Sequence, residues 1–296
     1  MRFASTHPML AAAPFAMQDE SVAPGAGWHA RLELGFGWRD GRTVLERRAH
    51  TGPLVVQKAL HPEGDSVCQC IVVHPPGGIA GGDALTLDVD VGPRAVAQLT
   101  TPGAAKWYRS SGAEAGQTFT ARVADGAALE WLPQGNIVFD AARVRSTTRF
   151  LLAGSAALIG WDAYCLGRTA ANERFGRGAF RQRVEIVRDD ALIWSERTAF
   201  DADSRLQTSV AGLCGAPVFG TFVAVGPDPD SDTLARCRAI IALHGDGALT
   251  QLPGVLVARY RGAALEAAHD YFRALWAIVR PALLGRDACT PRIWST

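Results

Sequence analysis

Three carboxylates stand beside tryptophan or isoleucine in stretches that are otherwise apolar. Glu130 lies in LEWL, Asp162 in IGWDA and Glu196 in IWSER. A carboxylate in such surroundings costs free energy to bury unless it is paired, hydrated or bound to a metal. Carboxylate oxygens also suit divalent cations, so all three are candidates for acid–base or metal chemistry. For each one alone the simpler interpretation is a local ion pair, such as Glu196 with Arg197 or Arg181.

A second candidate set is Cys68-x-Cys70 followed by His74. On a strand, residues i and i+2 share one face, so both thiols could approach one metal with the imidazole nearby. Thiolate and imidazole ligands would suit zinc, copper or nickel. A complete structural site needs a fourth ligand, however, and cysteine is often a simple core residue. We therefore expect buried thiols here and keep metal binding as the alternative.

A glycine-rich stretch, HPPGGIAGGD at 74–83, invites comparison with phosphate-binding loops. It lacks the G-x-G-x-x-G and G-K-[ST] spacings. It also connects two predicted strands, whereas a phosphate loop leads into the N-terminus of a helix. We therefore exclude nucleotide binding and interpret the stretch as a tight turn that presents Asp83 at a fixed place. A purely structural turn capped by Asp83 is the alternative.

Residues 101–111, TPGAAKWYRSS, bring Lys106, Tyr108 and Arg109 together around a tryptophan. Aromatic residues and arginine are typical of interface hot spots. They could also stack on a nucleobase, but a net charge of +1 lacks the basic excess typical of nucleic-acid binders. Near the C-terminus, PRIW carries Trp294, which we expect to dock on the body of the protein or on a partner.

The elements that must position these residues are mostly strands. Apolar and polar residues alternate in six segments, which predicts half-buried strands. These segments are 85–91, 95–101, 117–124, 147–152, 182–188 and 192–199. Turn residues separate them, and no helical period lies between them. This argues against a doubly wound parallel sheet and favours a sandwich, a barrel or a solenoid.

Helices are predicted only in the last third of the chain. One runs from about 232 to 243, with Ser231 as its cap. A second runs from about 263 to 280, with Pro281 just past its end. Its apolar stripe indicates packing against the core.

Composition sets further limits. Of 296 residues, 48% are hydrophobic and 20% are charged, which excludes disorder for most of the chain. No apolar run reaches the length of a membrane-spanning helix, and neither G-x-S-x-G nor H-E-x-x-H occurs. The six cysteines suggest no disulfide framework, which favours a reducing cytoplasm. We predict a disordered extension at 1–27 and one folded domain at 28–296.

Several long strings together resemble one family. They are HPPGGIAGGD at 74–83, TPGAAKWYRSSGA at 101–113, LEWLPQ at 129–134, WDAYCLGR at 161–168 and PRIW at 291–294. In content, order and spacing they resemble the urease accessory protein UreD family, called UreH in some bacteria. The resemblance covers essentially all of 28–296 and does not extend to 1–27.

The resemblance implies a mainly β fold, in which strands stack as a solenoid or β-helix and a few helices lie towards the C-terminus. It implies a non-catalytic, cytoplasmic scaffold for urease maturation that delivers nickel. The implied partners are UreF, the GTPase UreG and apo-urease, with a possible homodimeric assembly through UreF, and neither nucleic acid nor membrane. Nickel(II) would pass transiently through an internal polar passage, and no cofactor would be tightly bound.

Certain acids fall within the family strings. Asp83, Asp162 and Glu196 match acidic positions of the family, and we expect them to line the passage; Glu130, in LEWLPQ, is a fourth candidate. A transferred ion must bind well enough to enter and weakly enough to leave. Spaced carboxylates suit that requirement better than a closed thiolate site, which would hold nickel tightly.

Lys106, Tyr108 and Arg109 lie in the most distinctive loop of the family. Together with Trp294, they are our candidates for contact with partner proteins.

Two other functional classes stay open. Paired carboxylates on neighbouring strands could perform acid–base chemistry, as in a carbohydrate-active hydrolase built on a β-solenoid. A metalloenzyme or a thiol metal store would instead use Cys68, Cys70 and His74. The cysteine pair is not part of the family pattern, which argues against the metal store.

Overall fold

The structure is a computed structural model that describes residues 27–295. The extension predicted at 1–27 lies outside the described residues, except for Gly27. The strands are β1 (His29–Arg39), β2 (Arg42–Thr51), β3 (Val55–Leu60), β4 (Val67–Val73), β5 (Gly78–Ile79), β6 (Ala84–Val91), β7 (Val96–Thr100), β8 (Ala105–Trp107), β9 (Ala115–Val123), β10 (Ala128–Leu132), β11 (Asn136–Val138), β12 (Arg143–Leu152), β13 (Ala157–Leu166), β14 (Ala179–Arg188), β15 (Ala191–Asp201), β16 (Val218–Val225), β17 (Gly245–Leu252) and β18 (Val255–Gly262). The helices are α1 (Ser231–Arg238) and α2 (Leu265–Leu284), with short 3-10 turns at Thr169–Ala171 and Arg292–Ser295.

The strands form two facing sheets. Sheet 1 has the order β15-β14-β12-β9-β6-β1-β2, and the main path of sheet 2 is β17-β18-β16-β13-β10-β7-β4-β3. From β4 to β14 the chain alternates between the sheets, and successive strands of one sheet pair in parallel. The short strands β5, β8 and β11 pair in parallel along a narrow third face. The chain therefore winds as a solenoid, which confirms the mainly β, solenoid-like prediction.

Equivalent positions recur once in each turn of the solenoid. Val67 pairs with Val96, Val96 with Ala128, and Ala128 with Ala157, so these positions lie 29, 32 and 29 residues apart. Parallel stacking places residues of similar position in successive turns side by side. Polar groups that are distant in sequence thereby become neighbours inside the solenoid.

Period-2 alternation sorts side chains between the interior and the surface. In β6, Leu85, Leu87, Val89 and Val91 are buried, whereas the polar residues between them are partly exposed. The buried residues of both sheets join in one apolar cluster. Removal of this apolar area from water is the main force that holds the sheets together.

Helix α2 covers the outer face of sheet 2 and creates a second apolar cluster. Trp161, Phe222, Phe272 and Trp276 belong to this cluster. Strand β13 is consequently buried on both faces, and nine of its ten residues are buried. A strand of this kind carries a nearly continuous apolar run rather than an alternating one, which explains why period-2 alternation did not predict it.

Helix α1 is shorter than predicted. Its N-cap is Asp230 rather than Ser231, and the Asp230 carboxylate accepts the backbone N–H of Thr233 at 2.8 Å. The helix ends at Arg238. Beyond it, Ile241 and Leu243 are 79% and 61% exposed, whereas Ile240 and Ala242 pack against the second cluster outside the helix.

Helix α2 begins and ends later than predicted, and Pro281 lies inside it. The continuation is stabilised because Leu283 and Leu284 pack against the second cluster. Gly285 then ends the helix in the left-handed conformation, with φ of 63°. Across residues 27–295, neither helix combines the length and apolarity needed to cross a membrane.

Candidate functional site

A cavity of about 210 Å³ lies inside the solenoid between the two sheets. The polar side chains that line it include His74, Lys106, Asn136 and Asp162. They come from the turn after β4 and from β8, β11 and β13, which occupy neighbouring turns of the solenoid. Most of the remaining wall is apolar, and the space is large enough for several water molecules.

Asp162 is the carboxylate at the inner end of this cavity. Its Oδ1 accepts hydrogen bonds from Asn136 Nδ2 at 2.6 Å and from the backbone N–H of Ala163 at 3.0 Å. Its Oδ2 accepts the Tyr164 hydroxyl at 2.7 Å. None of these donors is charged, so burial dominates and raises the pKa of Asp162 to about 7, although the hydrogen bonds oppose that rise.

Asn136 fixes the direction of the hydrogen bond to Asp162. Trp107 Nε1 donates to Asn136 Oδ1 at 2.9 Å, which leaves the amide Nδ2 to face the carboxylate. On the other side, Tyr164 Oη lies 3.2 Å from Ser146 Oγ. The network thus joins β8, β11, β12 and β13, and it holds Asp162 in one position without neutralising its charge.

A second, smaller cavity of about 30 Å³ continues beyond Asp162. Asp162 and Trp131 line both cavities, and Glu196 lines the smaller one. Both Glu196 carboxylate oxygens lie 3.2 Å from Thr221 Oγ1. The two carboxylates therefore line adjacent cavities, and Asp162 stands in the wall that the cavities share.

The pairing expected for Glu196 is wrong. Its basic neighbour is Arg259 of β18, with Nη2 3.6 Å from Oε2, whereas Arg181 pairs with Asp201. Arg197 follows Glu196 directly on β15 and therefore points to the opposite face of the sheet.

Glu130 lies on the other face of sheet 2 and lines neither cavity. In register across β4, β7 and β10, Gln69 Nε2 donates to Gln98 Oε1 at 2.5 Å, and Gln98 Nε2 donates to Glu130 Oε2 at 3.0 Å. Trp276 Nε1 and Arg280 of α2 also donate to Glu130. This carboxylate therefore attaches α2 to the solenoid.

Asp83 caps the glycine-rich turn. Its Oδ2 accepts the backbone N–H of Ala80 at 2.8 Å, and its Oδ1 accepts that of Trp28 at 2.7 Å. Asp83 does not line either cavity. The geometry corresponds to the capping alternative considered for this residue, and it ties the turn to the chain just before β1.

Cys68, Cys70 and His74 do not come together as a ligand set. Both cysteines are fully buried in the first apolar cluster, while His74 lines the larger cavity. The hydrogen bond between the thiols lowers the pKa of Cys68 and raises that of Cys70. Within residues 27–295, no group of three or more His, Cys, Asp or Glu side chains could hold a metal ion.

His74 contributes an imidazole to the cavity wall without a fixed partner. Its Nε2 is buried, and nothing in residues 27–295 hydrogen-bonds to it. Burial lowers the pKa of His74, so the ring is neutral near pH 7.

The residues predicted for partner contact lie in different surroundings. Lys106 is on the short strand β8 and lines the larger cavity, whereas Tyr108 and Arg109 follow that strand at the surface. Trp294 packs on the protein itself: its Nε1 donates to Thr100 Oγ1 at 2.8 Å. Its ring centroid lies 6.0 Å from that of Trp276, so the docking expected for the C-terminal segment is on the body.

Sequence reasoning did not single out Asn136, Tyr164 or Trp131 as part of the site. Tyr164 follows Asp162 by two positions, which places both on one face of a strand, and this spacing is visible in WDAY. Asn136 carried no such signal, because its partner lies 26 positions away and meets it only through stacking of the solenoid turns.

Comparison with known proteins gives one consistent result. A family model described as UreD urease accessory protein matches residues 29–295. A protein of Dechloromonas aromatica named Urease accessory protein UreD is 52% identical over 273 residues, which is 91% of this chain and 95% of the relative. Relatives with the same name from Azoarcus sp. and Pseudomonas aeruginosa are each 51% identical, over 91% and 95% of this chain and 95% and 99% of their own lengths.

Proposed function

The chain belongs to the UreD family of urease accessory proteins, and from this premise we propose that it serves urease maturation as a non-catalytic scaffold. In this role it assembles with UreF and UreG and presents nickel(II) to apo-urease. The ion is cargo that passes through the protein and is not retained.

The observation that supports this proposal most directly is the pair of cavities that share Asp162. Together they offer space for an interior route from the side of His74 and Lys106 to Glu196. Within residues 27–295, all the groups that donate a hydrogen bond to the Asp162 carboxylate are uncharged. An ionised carboxylate of this kind attracts a hydrated cation, and its neutral surroundings do not compete with that cation.

The physical properties of the route suit transfer. The smaller cavity, of about 30 Å³, holds roughly two water molecules. Asp162 lines both cavities and Glu196 lines only the smaller one, so neither cavity offers a complete set of oxygen ligands. Nickel(II) would keep water ligands at Asp162 in the larger cavity and shed most of them in the smaller one, where two carboxylates are an incomplete ligand set that lets the ion leave, which is what a conduit requires.

The alternative of a carbohydrate-active hydrolase fits the site less well. Such an enzyme needs room for a sugar ring between two carboxyl groups about 5–10 Å apart. The space that Asp162 and Glu196 share is about 30 Å³, which is far smaller than a sugar ring. We therefore favour ion passage over glycoside hydrolysis.

The proposal can be tested by reconstitution from purified components. Apo-urease, UreF, UreG, GTP and nickel(II) are incubated with or without this chain, and urea hydrolysis is measured. We expect activation only when the chain is present, and no release of reducing sugar when the chain is given polysaccharide alone. Equal activation without the chain, or hydrolase activity of the chain, would contradict the proposal.

A further inference from the structure

A ladder of aromatic and arginine side chains runs along one corner of the solenoid surface. Tyr108 and Phe139 follow β8 and β11 in successive turns, and the backbone N–H of Phe139 donates to Trp107 O at 3.0 Å. The rings of Tyr108 and Phe139 meet edge to face, with centroids 5.2 Å apart. The guanidinium carbon of Arg168, from the next turn, lies 4.5 Å from the Phe139 ring centroid.

Two glycines of the turn at 74–83 allow this ladder to lie against the solenoid. A Cβ atom at Gly78 would lie 2.3 Å from Tyr108 Cε2, and one at Gly81 would lie 2.2 Å from Ser110 Oγ. Any larger residue at either position would push residues 108–110 outward. The glycine-rich motif is therefore a close-packing surface for the ladder.

Rigid backbone contacts connect the loops that carry the ladder. The N–H of Ser110 donates to Ala141 O at 3.0 Å, and that of Ala141 donates to Arg177 O at 2.9 Å. The Asp140 carboxylate also accepts the backbone N–H groups of Gly176 and Arg177. Three loops from successive turns thus form one preorganised surface, which lowers the entropic cost of binding.

The corner carries an excess of positive charge. The acids of its loops 139–142 and 167–177 are already paired: Asp140 with Arg177 and Glu173 with Arg168, each at 2.6 Å. Arg109 and Arg174 are exposed, and neither forms an ion pair within residues 27–295. Arg174 lies close to Gly167, the residue that precedes Arg168. A Cβ atom added to Gly167 would be 2.8 Å from the Cα atom of Arg174.

We propose that the corner formed by Tyr108, Arg109, Phe139, Arg168, Arg174 and Arg177 is a docking surface for an acidic segment of a protein partner. Stacked aromatic and arginine side chains are typical of interface hot spots. The two unpaired arginines supply the charge complementarity that would select an acidic segment. The inference rests on the proposed function in one respect, because we assign the acidic segment to a protein of the urease-maturation assembly.

The test is a matched pair of charge-reversal variants of the full chain. Arg109→Glu combined with Arg174→Glu alters the corner. Arg197→Glu combined with Arg238→Glu makes the same change in net charge at exposed positions on β15 and α1. Dissociation constants for purified UreF and for purified apo-urease are measured separately by biolayer interferometry, at about 0.1 M salt and again at higher salt.

We expect the corner variant to bind at least one of the two proteins about tenfold more weakly or worse, and the control variant to bind within about twofold of the wild type. Wild-type affinity for that protein should also fall as salt is raised, because exposed charges are screened. Thermal melting of both variants should match the wild type, since all four arginines are exposed.

Different results overturn different parts of the account. If the wild type binds and the corner variant binds equally well, the docking surface is wrong and the proposed function stands. If the wild type binds neither protein, the proposed function fails and the docking surface fails with it. Tighter binding of a fluorescent single-stranded oligonucleotide than of either protein, lost in the corner variant, would also overturn the proposal.

Discussion

Glu130 and Arg280 lie 150 positions apart in the chain and form a fully buried ion pair, with Nε 2.9 Å from Oε1 and Nη2 3.0 Å from Oε2. Arg280 also donates to Glu63, so one guanidinium joins α2 to two parts of the solenoid. Asp162, which faces the opposite side of the same sheet, is paired with no cation in the part of the chain that the structure describes. Two carboxylates with similar apolar sequence neighbours therefore differ in function: one is structural and one lines a cavity.

Glu130→Ala should lower the free energy of unfolding by about 3–5 kcal/mol, because it leaves Arg280 buried with only part of its positive charge compensated, by Glu63. Urea unfolding measures the effect. Glu46→Ala is the control, since its pair with Arg39 is exposed to solvent and should contribute little to stability. An equal loss of unfolding free energy in the two variants would contradict the prediction, because it would show that burial does not raise the cost of breaking the pair.

Sequence pattern was sufficient for the sheets but not for the site. Alternation in β6 predicted its buried face because one side of that strand meets water. The same method gave no signal for β13, which α2 covers on its outer face. Asp162 could be selected as a carboxylate in an apolar stretch, but Glu130 met the same criterion. Only the stacking of distant turns, which depends on the whole fold, distinguishes them.

The helix boundaries illustrate a second limit. Pro281 suggested an end to α2, yet the helix includes it, because Leu283 and Leu284 still find a core to pack on. The apolar residues around Ile241 suggested a longer α1, yet Ile241 and Leu243 are exposed and the helix ends at Arg238. Local pattern shows where a helix could continue, and tertiary packing decides whether it does.

We predict that the isolated chain is poorly soluble near neutral pH and that UreF improves its solubility. Net charge is +1, which gives little repulsion between molecules. Ile241 and Leu243 are 79% and 61% exposed just before β17, an edge strand, and such edges promote association. Light scattering of the chain alone, with UreF, and as Ile241→Lys/Leu243→Lys measures this. A monodisperse wild-type monomer that UreF leaves unchanged would contradict it.

Nickel transfer should depend on pH through Asp162. Because burial raises its pKa to about 7, the carboxylate is ionised in roughly 10% of molecules at pH 6 and roughly 90% at pH 8. Transfer to apo-urease should therefore rise across this interval. The rate is measured as a ratio to Asp162→Asn under identical conditions, which cancels the pH dependence of the other proteins. A ratio that does not change between pH 6 and pH 8 would contradict the assignment.

Stability should show the opposite trend. The folded protein penalises ionised Asp162, so this group makes the free energy of unfolding fall as pH rises from about 4 to about 7. The fall should be absent in Asp162→Asn. Urea unfolding of both proteins at several pH values provides this check without any partner or metal.

The most direct test of ion passage is nickel-dependent urease activation by the double variant Asp162→Ala/Glu196→Ala. Asp246→Ala/Asp270→Ala is the control, because it removes two exposed carboxylates and gives the same net charge. Pull-down with UreF and apo-urease, and a thermal melt, are recorded on the same preparations. They separate loss of transfer from loss of fold or assembly.

We expect the interior double variant to activate urease about tenfold more slowly or worse, because a lost attraction of only about 1.4 kcal/mol already produces that factor. Its complex with UreF and apo-urease should stay intact, and the surface control should activate normally. Full activation by the interior variant would contradict passage along Asp162 and Glu196, as would a loss of partner binding in step with a loss of fold.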